Sequence, residues 1–253
     1  MQWRLIKQQA YSAPMNMAID HAIYESVANG REQPTIRFYK WQNNSVSIGA
    51  YQNPKDINFD ACKKHSIDVV RRMTGGRAVF HDKRDFTYSV IAPIRVFGYS
   101  IKNAYTEICQ CIIKTLSDFG IKSSLENKND IIVDGKKISG NASKAMEKGV
   151  YLQHGTLIYD INYEAMPIVL NVSEELVREK VTSLLQYSKV SQQKAYESLR
   201  NNFTANKQVK IGELSKYELM RAEDLANAKY NTITPPADTL LKNKGACYIE
   251  RGG

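Results

Sequence analysis

The chain is most constrained by a series of short strand-like segments that follow one another with turn-forming residues between them. Five of them lie at residues 34–41, 45–49, 69–73, 78–80 and 86–92. In the first of these, Ile36 and Phe38 alternate with Thr35, Arg37 and Tyr39. This is the period of a half-buried strand. Strands joined by short turns favour antiparallel or mixed pairing over a parallel, doubly wound sheet.

Helical patterns precede and follow these strands. Ser12-Ala13-Pro14 is typical of a helix start, and apolar residues recur at helical spacing as far as Ala28, before Gly30. A second helix is predicted from Ser100 to Gly120. Further strands are predicted at 131–133, 137–139 and 151–159, the first two joined by an Asp134-Gly135 turn, and helices near 173–186, 191–203 and 213–230. The fold class predicted is α+β, with mixed, largely antiparallel sheets flanked by helices.

The length fits one domain over residues 1–253, with a mainly helical part at about 173–230 and a loosely held tail beyond Tyr230. Hydrophobic residues make up 43%, enough for a sizeable core. We expect a cytoplasmic protein without membrane contact, because no run approaches about 20 apolar residues and the N-terminus does not resemble a secretory signal.

The four cysteines, Cys62, Cys109, Cys111 and Cys247, show neither disulfide nor zinc spacing, which indicates a reducing compartment. The net charge of +9 suits an acidic partner. Because the basic residues are scattered along the chain rather than grouped in a stripe, we do not expect nucleic acid to be that partner.

The first motif with chemical potential is the run from Arg71 to Asp82, in which two arginines precede the pair Gly75-Gly76. Glycines let a backbone turn sharply and approach a ligand closely. A guanidinium beside such a turn can bind a carboxylate or a phosphate. The same residues are equally compatible with an ordinary hairpin.

Two further stretches could add to such a site. Lys136 and Lys137 precede the small residues of an Ile-Ser-Gly-Asn-Ala run, where a lysine can present its charge to a phosphate or carbonyl oxygen. Two solvated hairpin lysines would look the same. His154-Gly155 adjoins a predicted strand, although a lone histidine is more often structural. Residues 48–54, a glycine followed by amide side chains, suit a pocket loop or a plain turn.

The chain has no G-x-x-x-x-G-K-[ST], G-x-G-x-x-G or G-x-S-x-G motif, so it does not hold ATP in the manner of a P-loop protein. The four histidines form no ligand cluster in the sequence. Any Mg²⁺ is therefore expected to arrive with a nucleotide.

Taken together and in this order, these stretches resemble the lipoate–protein ligase and lipoyl/octanoyl transferase superfamily, whose fold is related to the catalytic domain of biotin–protein ligases. The family patterns are roughly R-R-x-x-G-G-G-A-V-[FY]-H-D, N-D-[IL], G-x-K-[IV]-x-G-[NS]-A and H-G-[ST], with I-G-x-x-Q-N-P upstream. They stand here at 71–82, 129–131, 135–142, 154–156 and 48–54. The likeness covers about residues 1–165 and is weaker beyond. The G-R-G-R-x-G loop of biotin ligases is not present.

The resemblance implies a role for each matched residue. Lys137 matches the essential lysine, which contacts the acyl carbonyl and the α-phosphate of an acyl-adenylate. Asp130 is a candidate contact to Mg²⁺ through the nucleotide. The residues expected to bind the lipoyl group or adenylate are Arg72, Gly75, Gly76, Arg77, Ala78, His81, Asn129, Asp130, Ser139, Gly140, Ala142, His154 and Gly155.

Two departures bear on the reaction. Arg77 replaces the third glycine of the ligase pattern, and G-G-R is similar to some octanoyltransferases. Those enzymes carry the acyl group on a cysteine, which one class has in the loop that here is 121–129, and another has where Tyr151 stands. Neither place holds a cysteine here. Since a missing nucleophile removes the chemistry, we favour a ligase using lipoate (or octanoate), ATP and Mg²⁺, with transfer from an acyl carrier as the alternative. A non-enzymatic lipoyl-carrier binding protein is less expected, because the lysine and the glycine pair are both present.

The resemblance also implies partners. The acceptor would be an acidic lipoyl domain, a glycine-cleavage H-like protein or another lipoate-binding carrier, which fits the positive charge. The chain resembles short ligases without the C-terminal accessory domain. A small separate subunit is expected to supply that domain, so we predict that this chain alone activates lipoate poorly.

Overall fold

The computed structural model describes residues 1–126, 129–144 and 148–231. Its strands are β1 (Gln2–Tyr11), β2 (Thr35–Trp41), β3 (Ser45–Ile48), β4 (Asp68–Arg71), β5 (Val79–His81), β6 (Phe86–Pro93), β7 (Ser124–Glu126), β8 (Asp130–Val133), β9 (Lys136–Lys144), β10 (Val150–Leu157) and β11 (Gln208–Gly212). Its helices are α1 (Ala13–Ala28), α2 (Phe59–Lys64), α3 (Ile101–Ser117), α4 (Ala165–Val169), α5 (Glu174–Lys180), α6 (Leu184–Tyr187), α7 (Gln192–Thr204) and α8 (Lys216–Leu225).

The larger of the two sheets is mixed, with the strand order β11-β1-β2-β6-β10-β9-β8-β7. The pairs β11–β1 and β1–β2 are parallel, and the pairs from β2 through β6, β10, β9 and β8 to β7 are antiparallel. Sheets of mixed, largely antiparallel pairing flanked by helices were predicted from the short turns, and the structure confirms this fold class.

The smaller sheet has the order β4-β3-β5 and carries the glycine pair. Strand β3 pairs in parallel with β4 and antiparallel with β5. The connection from β4 to β5, residues 72–78, therefore passes the end of β3, where Gly49 follows the strand. We call residues 72–78 the glycine turn.

The large sheet separates two apolar cores. On one face α3 and α7 pack against residues such as Phe38, Tyr88 and Tyr151. On the other face α1 and α8 pack against Tyr39, Ile91 and others. Burying a large apolar side chain contributes about 1.5–3 kcal/mol relative to leaving it exposed. Both faces of the sheet are thus covered, and a polar side chain between the layers needs a hydrogen-bond partner within the chain.

The hairpin that carries the second motif was predicted from two residues. Asp134 and Gly135 both have positive φ, +48° and +75°. This is the conformation of a two-residue type I′ turn, for which Asp-Gly is a preferred pair. The turn joins β8 to β9, so that Asp130 pairs with Gly140 in the ladder. Strand β9 continues to Lys144, beyond the predicted end at residue 139, because β10 pairs with it over that length.

The predicted order of elements was wrong at the N-terminus and within the C-terminal helical region. The chain begins with a strand, β1, whose residues 3–6 are all buried, and Ile6 ends the short alternation of Trp3, Arg4 and Leu5. Strand β11 interrupts the helical region because it pairs in parallel with β1, about two hundred residues away. The helix predicted at 173–186 is divided into α5 and α6, since Val181 pairs with Lys137. The helices predicted near 191–203 and 213–230 are confirmed as α7 and as α8 with a π-helical turn, Ala226–Tyr230.

The predicted loose tail beyond Tyr230 lies outside the described residues except for Asn231, and the single-domain organisation stays a prediction. Among the helices of the described part, none is long and apolar enough to cross a bilayer.

His21 of α1 gives the fold a testable pH dependence. Its Nδ1 lies 3.0 Å from the Tyr230 hydroxyl, and burial, with the charge of Lys229, lowers the pKa of His21 from 6.5 to about 4. Between these two pKa values the unfolded chain binds a proton that the folded chain does not. The contribution of His21 to the free energy of unfolding is therefore fully present above pH 6.5 and is lost as the pH falls towards 4. Between pH 6.5 and 4, the free energy of unfolding measured in urea is expected to fall by about 2 kcal/mol less in His21→Gln than in the parent. Equal losses in the two proteins would contradict the shift.

Candidate functional site

The predicted motifs meet where the glycine turn lies against β10. The Thr74 hydroxyl lies 2.6 Å from His154 Nε2, and the Thr156 hydroxyl lies 3.3 Å from His81 Nδ1. Thr74 and His81 belong to the small-sheet region, whereas His154 and Thr156 belong to the large sheet. These contacts join the two sheets at one place, as expected for one site built from the first and third motifs.

Arg72 shapes the glycine turn from within. Its side chain is buried, and its guanidinium donates to the carbonyl oxygens of Ser47, Gly75 and Arg77, each at 2.7 Å. It also donates to the hydroxyls of Thr74 and Ser47, each at 3.2 Å. The donors that the sequence suggested for an anionic ligand are therefore engaged by the protein, and Arg72 acts on the site by fixing the turn.

Lys137 stands over a glycine and next to a carboxylate. Its Nζ lies 2.7 Å from Oδ1 of Asp130, and its side chain keeps 34% of its surface exposed. A Cβ added to Gly140 would lie 2.8 Å from Nζ, so a side chain at position 140 would displace the ammonium from this position. Gly140 is paired with Thr156, and directly paired residues of an antiparallel ladder present side chains to the same face. Lys137 therefore lies on the face where Thr156 contacts His81.

His81 is a packed, uncharged residue. Its ring stacks on Trp41 with centroids 4.2 Å apart, and its Nε2 lies 2.8 Å from the Ser47 hydroxyl. Burial lowers the pKa of His81 well below its ordinary value, and the charge of Arg72 acts in the same direction. The imidazole thus lines the site as a neutral ring.

The other predicted residues are not all on the face of Lys137. Ser139 pairs with Leu157 and Gly155 pairs with Tyr88, so both positions face the α3 side of the large sheet. Asn129 binds Asn141 through its carbonyl, which accepts from the Asn141 amide nitrogens. A Cβ on Gly155 would lie 2.2 Å from Asn141 Oδ1, so Gly155 makes room for that side chain. Ser139 is buried in β9, and Ala142 pairs with His154. At the outer edge of the turn Ala78 is half-buried, while Gly76 and Arg77 are exposed.

The sequence reasoning missed the polar residues beneath the turn. Asp20 of α1 is buried and lies 2.7 Å from Arg37 and 3.3 Å from His154. Thr74 and Ser47 supply the hydroxyls that meet Arg72. The sequence signal that could have found Asp20 is its place on the apolar face of the predicted helix, because a buried charge needs a partner.

None of the three described cysteines is placed to act as a nucleophile on Lys137's face. Cys109 lies between α3 and β10, where it accepts from Gln153, and burial raises the pKa of its thiol to about 12. Burial also raises the pKa of Cys62, which packs in the core of the small sheet, and of Cys111. A nucleophilic cysteine needs thiolate character, which all three environments disfavour. Cys247 lies outside the described residues.

Within the described ranges, no group of three or more His, Cys, Asp or Glu side chains could hold a metal ion. A surface hollow of about 260 Å³ lies beside the β8–β9 turn, lined by Lys122, Asp134, Gly135 and neighbours. It includes no residue of the glycine turn or β10 and is separate from the site above.

Comparison with known proteins gives three kinds of match. A profile described as the lipoyl protein ligase A/B catalytic domain matches residues 12–204. An octanoyltransferase named LipM from Brevibacillus brevis is 31% identical, over 91% of this chain and 97% of its own.

Two solved structures are similar over nearly the whole chain. A lipoate-protein ligase A bound with ATP is 29% identical with a TM-score of 0.81, covering 92% of this chain and 97% of that one. The bi-partite lipoate protein ligase of Thermoplasma acidophilum, solved as part of an archaeal lipoylation system with its E2 lipoyl domain, is 27% identical with a TM-score of 0.78. The match covers 92% of this chain and 95% of that one.

Proposed function

The chain belongs to the family of lipoyl protein ligase A/B catalytic domains, and we propose that it transfers an octanoyl- or lipoyl-type acyl group to a lysine amine of an acidic carrier domain. The observation that carries this proposal is the position of Lys137. Its ammonium is held 2.7 Å from Asp130, above Gly140, on the face of the sheet that meets the glycine turn.

The chemistry that this arrangement favours is acyl transfer. When the carrier amine attacks the acyl carbon, the C–N bond forms and the carbonyl oxygen becomes an oxyanion. The Lys137 ammonium, which is paired with Asp130 above Gly140, can stabilise that charge. Collapse of the intermediate breaks the bond to the leaving group, which takes the electron pair, while the nitrogen loses its proton to solvent.

The thiol environments support transfer in a single displacement. With no activated thiol among the described residues, the acyl group passes directly from the donor to the carrier amine, without an acyl-enzyme. This route is open to any donor whose acyl group is already activated, because the leaving group then departs without a covalent protein intermediate.

Two donors are candidates. The first is an octanoyl thioester on an acyl carrier, supported by the LipM octanoyltransferases among the relatives. The second is an acyl-adenylate made in the same site from the free acid and ATP, supported by the similar ligase with bound ATP and by the lack of a placed thiol. The sequence motifs favoured the second donor, whereas the relatives favour the first, which was the alternative.

The described residues accommodate Mg²⁺ only as a companion of the nucleotide. Asp130 is the one carboxylate paired with Lys137 in this centre, and no metal cluster surrounds it within the described part. Nucleotide-bound Mg²⁺ would neutralise phosphate charge, while Asp130 keeps Lys137 in place.

One experiment distinguishes the donors. The protein is mixed with an apo lipoyl domain and either an octanoyl-loaded acyl carrier without ATP, or octanoate or lipoate with MgATP, and carrier mass is recorded. We expect the acyl mass to be added from the loaded carrier. Addition only with MgATP would establish the second donor, and addition in neither mixture would overturn the proposal.

The same samples test the single displacement. Intact mass of the enzyme after mixing with donor alone is expected to show no added acyl group, and Cys247→Ser is expected to transfer at the parent rate. If the parent carried an added acyl group and Cys247→Ser did not, the direct transfer without an acyl-enzyme would be contradicted. The accessory subunit and the cytoplasmic location stay predictions.

A further inference from the structure

A buried polar chain runs beneath the glycine turn and begins at Asp20. Its carboxylate accepts from Arg37 at 2.7 Å and from the Ser89 hydroxyl at 2.9 Å, and it lies 3.3 Å from His154 Nδ1. Burial alone would raise the pKa of Asp20, but Arg37 and His154 outweigh it and the pKa is lowered. Asp20 is therefore a carboxylate, which can only accept hydrogen bonds.

The direction of the next bonds follows from this acceptor. His154 Nδ1 must carry the hydrogen that it shares with Asp20, and in an imidazole with its one hydrogen on Nδ1 the other nitrogen, Nε2, is an acceptor. Nε2 lies 2.6 Å from the Thr74 hydroxyl, and that oxygen already accepts from Arg72 Nε at 3.2 Å. The single hydroxyl hydrogen of Thr74 is then free to point at His154.

Arg72 connects Thr74 to the backbone of the glycine turn. Its guanidinium holds the carbonyl oxygens of Gly75 and Arg77, each at 2.7 Å. No peptide bond in the described part is cis, and in a trans peptide the N–H points opposite to the C=O. The N–H groups of Gly76 and Ala78 are therefore directed away from Arg72.

We propose that Thr74 is a positioning residue, anchored through His154 to Asp20, that sets Arg72 so that the Gly76 and Ala78 N–H groups face the oxygen atoms of the acyl donor. The inference rests on the proposed acyl transfer and deepens it. Two such N–H groups form a concave donor site for an oxyanion or a phosphate oxygen. Neither Thr74 nor Asp20 contacts the donor itself.

Thr74→Val tests the proposal because it keeps the shape of the side chain and removes the hydroxyl. We expect kcat/KM for the acyl donor to fall about tenfold to a hundredfold, since misplacing a binding group by about 1 Å has effects of that size. KM for the carrier domain is expected to stay within twofold, and Thr74→Ser is expected to restore most of the rate. The matched control is Thr115→Val, a buried threonine of α3 on the other face of the sheet.

Two further measurements do not depend on activity. Arg77 is exposed, and its carbonyl is one of those that Arg72 holds, so trypsin cleavage after Arg77 is expected to be faster in Thr74→Val than in the parent or in Thr115→Val. The ¹⁵N NMR shifts of His154 are expected to show hydrogen on Nδ1. If no variant or parent protein transfers acyl groups, the proposed function fails while these two results still decide the inference.

The proposal is overturned if Thr74→Val matches Thr115→Val in both donor kcat/KM and cleavage at Arg77, or if His154 carries its hydrogen on Nε2. A loss of thermal stability shared equally by the two valine variants, with no difference in kinetics, would indicate a merely structural hydroxyl.

Discussion

Replacing Lys137 by alanine is expected to reduce the turnover of acyl transfer by about a thousandfold, the size of effect seen when an oxyanion donor is removed. The ammonium is the cation that Asp130 and Gly140 hold at the face of the glycine turn, and alanine leaves the oxyanion without it. Carrier acylation under saturating donor, followed by mass spectrometry, measures the loss.

The control for this prediction is its neighbour in the same strand. Lys136 donates from Nζ to the Arg178 carbonyl, 2.8 Å away and on the exposed surface, so Lys136→Ala is expected to stay within about twofold of the parent. The fold of Lys137→Ala should be retained, because the lost side chain is one-third exposed. Turnover of Lys137→Ala above a tenth of the parent value would remove Lys137 from the catalytic role.

The pairing of Lys137 with Asp130 could be predicted from local sequence. Asp134-Gly135 specifies a two-residue hairpin, and a hairpin places residues before the turn beside residues after it. The lysine motif and the Asn129-Asp130 pair must then be neighbours in adjacent strands, as they are in β8 and β9. The position of Gly140 does not follow from the hairpin alone. The register shift opposite Ile131 and Ile132 is what brings residue 140 to the face of Lys137.

The part of the site beneath the glycine turn could not be predicted in this way. Asp20 and His154 are separated by 134 residues, and their contact depends on α1 packing across β2, β6 and β10. The stacking of His81 on Trp41 likewise depends on how the small sheet sits against the large one. Hydrophobic periodicity reports which face of an element is buried but not which distant element covers it.

The same limit explains the missed strands β1 and β11. Polar and apolar residues alternate over only four positions in each strand, from Gln2 to Leu5 in β1 and from Gln208 to Ile211 in β11, which is a weak signal for a strand. What defines them is their parallel pairing with each other across the chain. Non-local pairing of this kind is decided by tertiary packing, which overrides local propensity.

Gly49→Ala is expected to have the second-largest effect, through the backbone. A Cβ on Gly49 would lie 1.8 Å from the carbonyl oxygen of Gly76, and 2.9 Å from its carbonyl carbon. Neither atom belongs to a flexible side chain, so the glycine turn itself has to move. The Ala50 N–H, which binds the Thr74 carbonyl at 2.9 Å, would move with it. We expect at least a hundredfold loss of kcat/KM for the donor and about 1–3 kcal/mol of stability.

Gly75→Ala separates crowding from the mere loss of a glycine, because a Cβ there meets no atom within 4 Å and the residue has no left-handed φ. Urea unfolding is expected to place Gly75→Ala within about 0.5 kcal/mol of the parent, while Gly49→Ala unfolds at clearly lower urea. If Gly49→Ala kept parental stability and donor kinetics, the approach of β3 to the glycine turn would not be what shapes the site. The loss expected at Gly49 therefore tests the backbone contact that Arg72 and Thr74 secure from the other side, with no catalytic side chain altered.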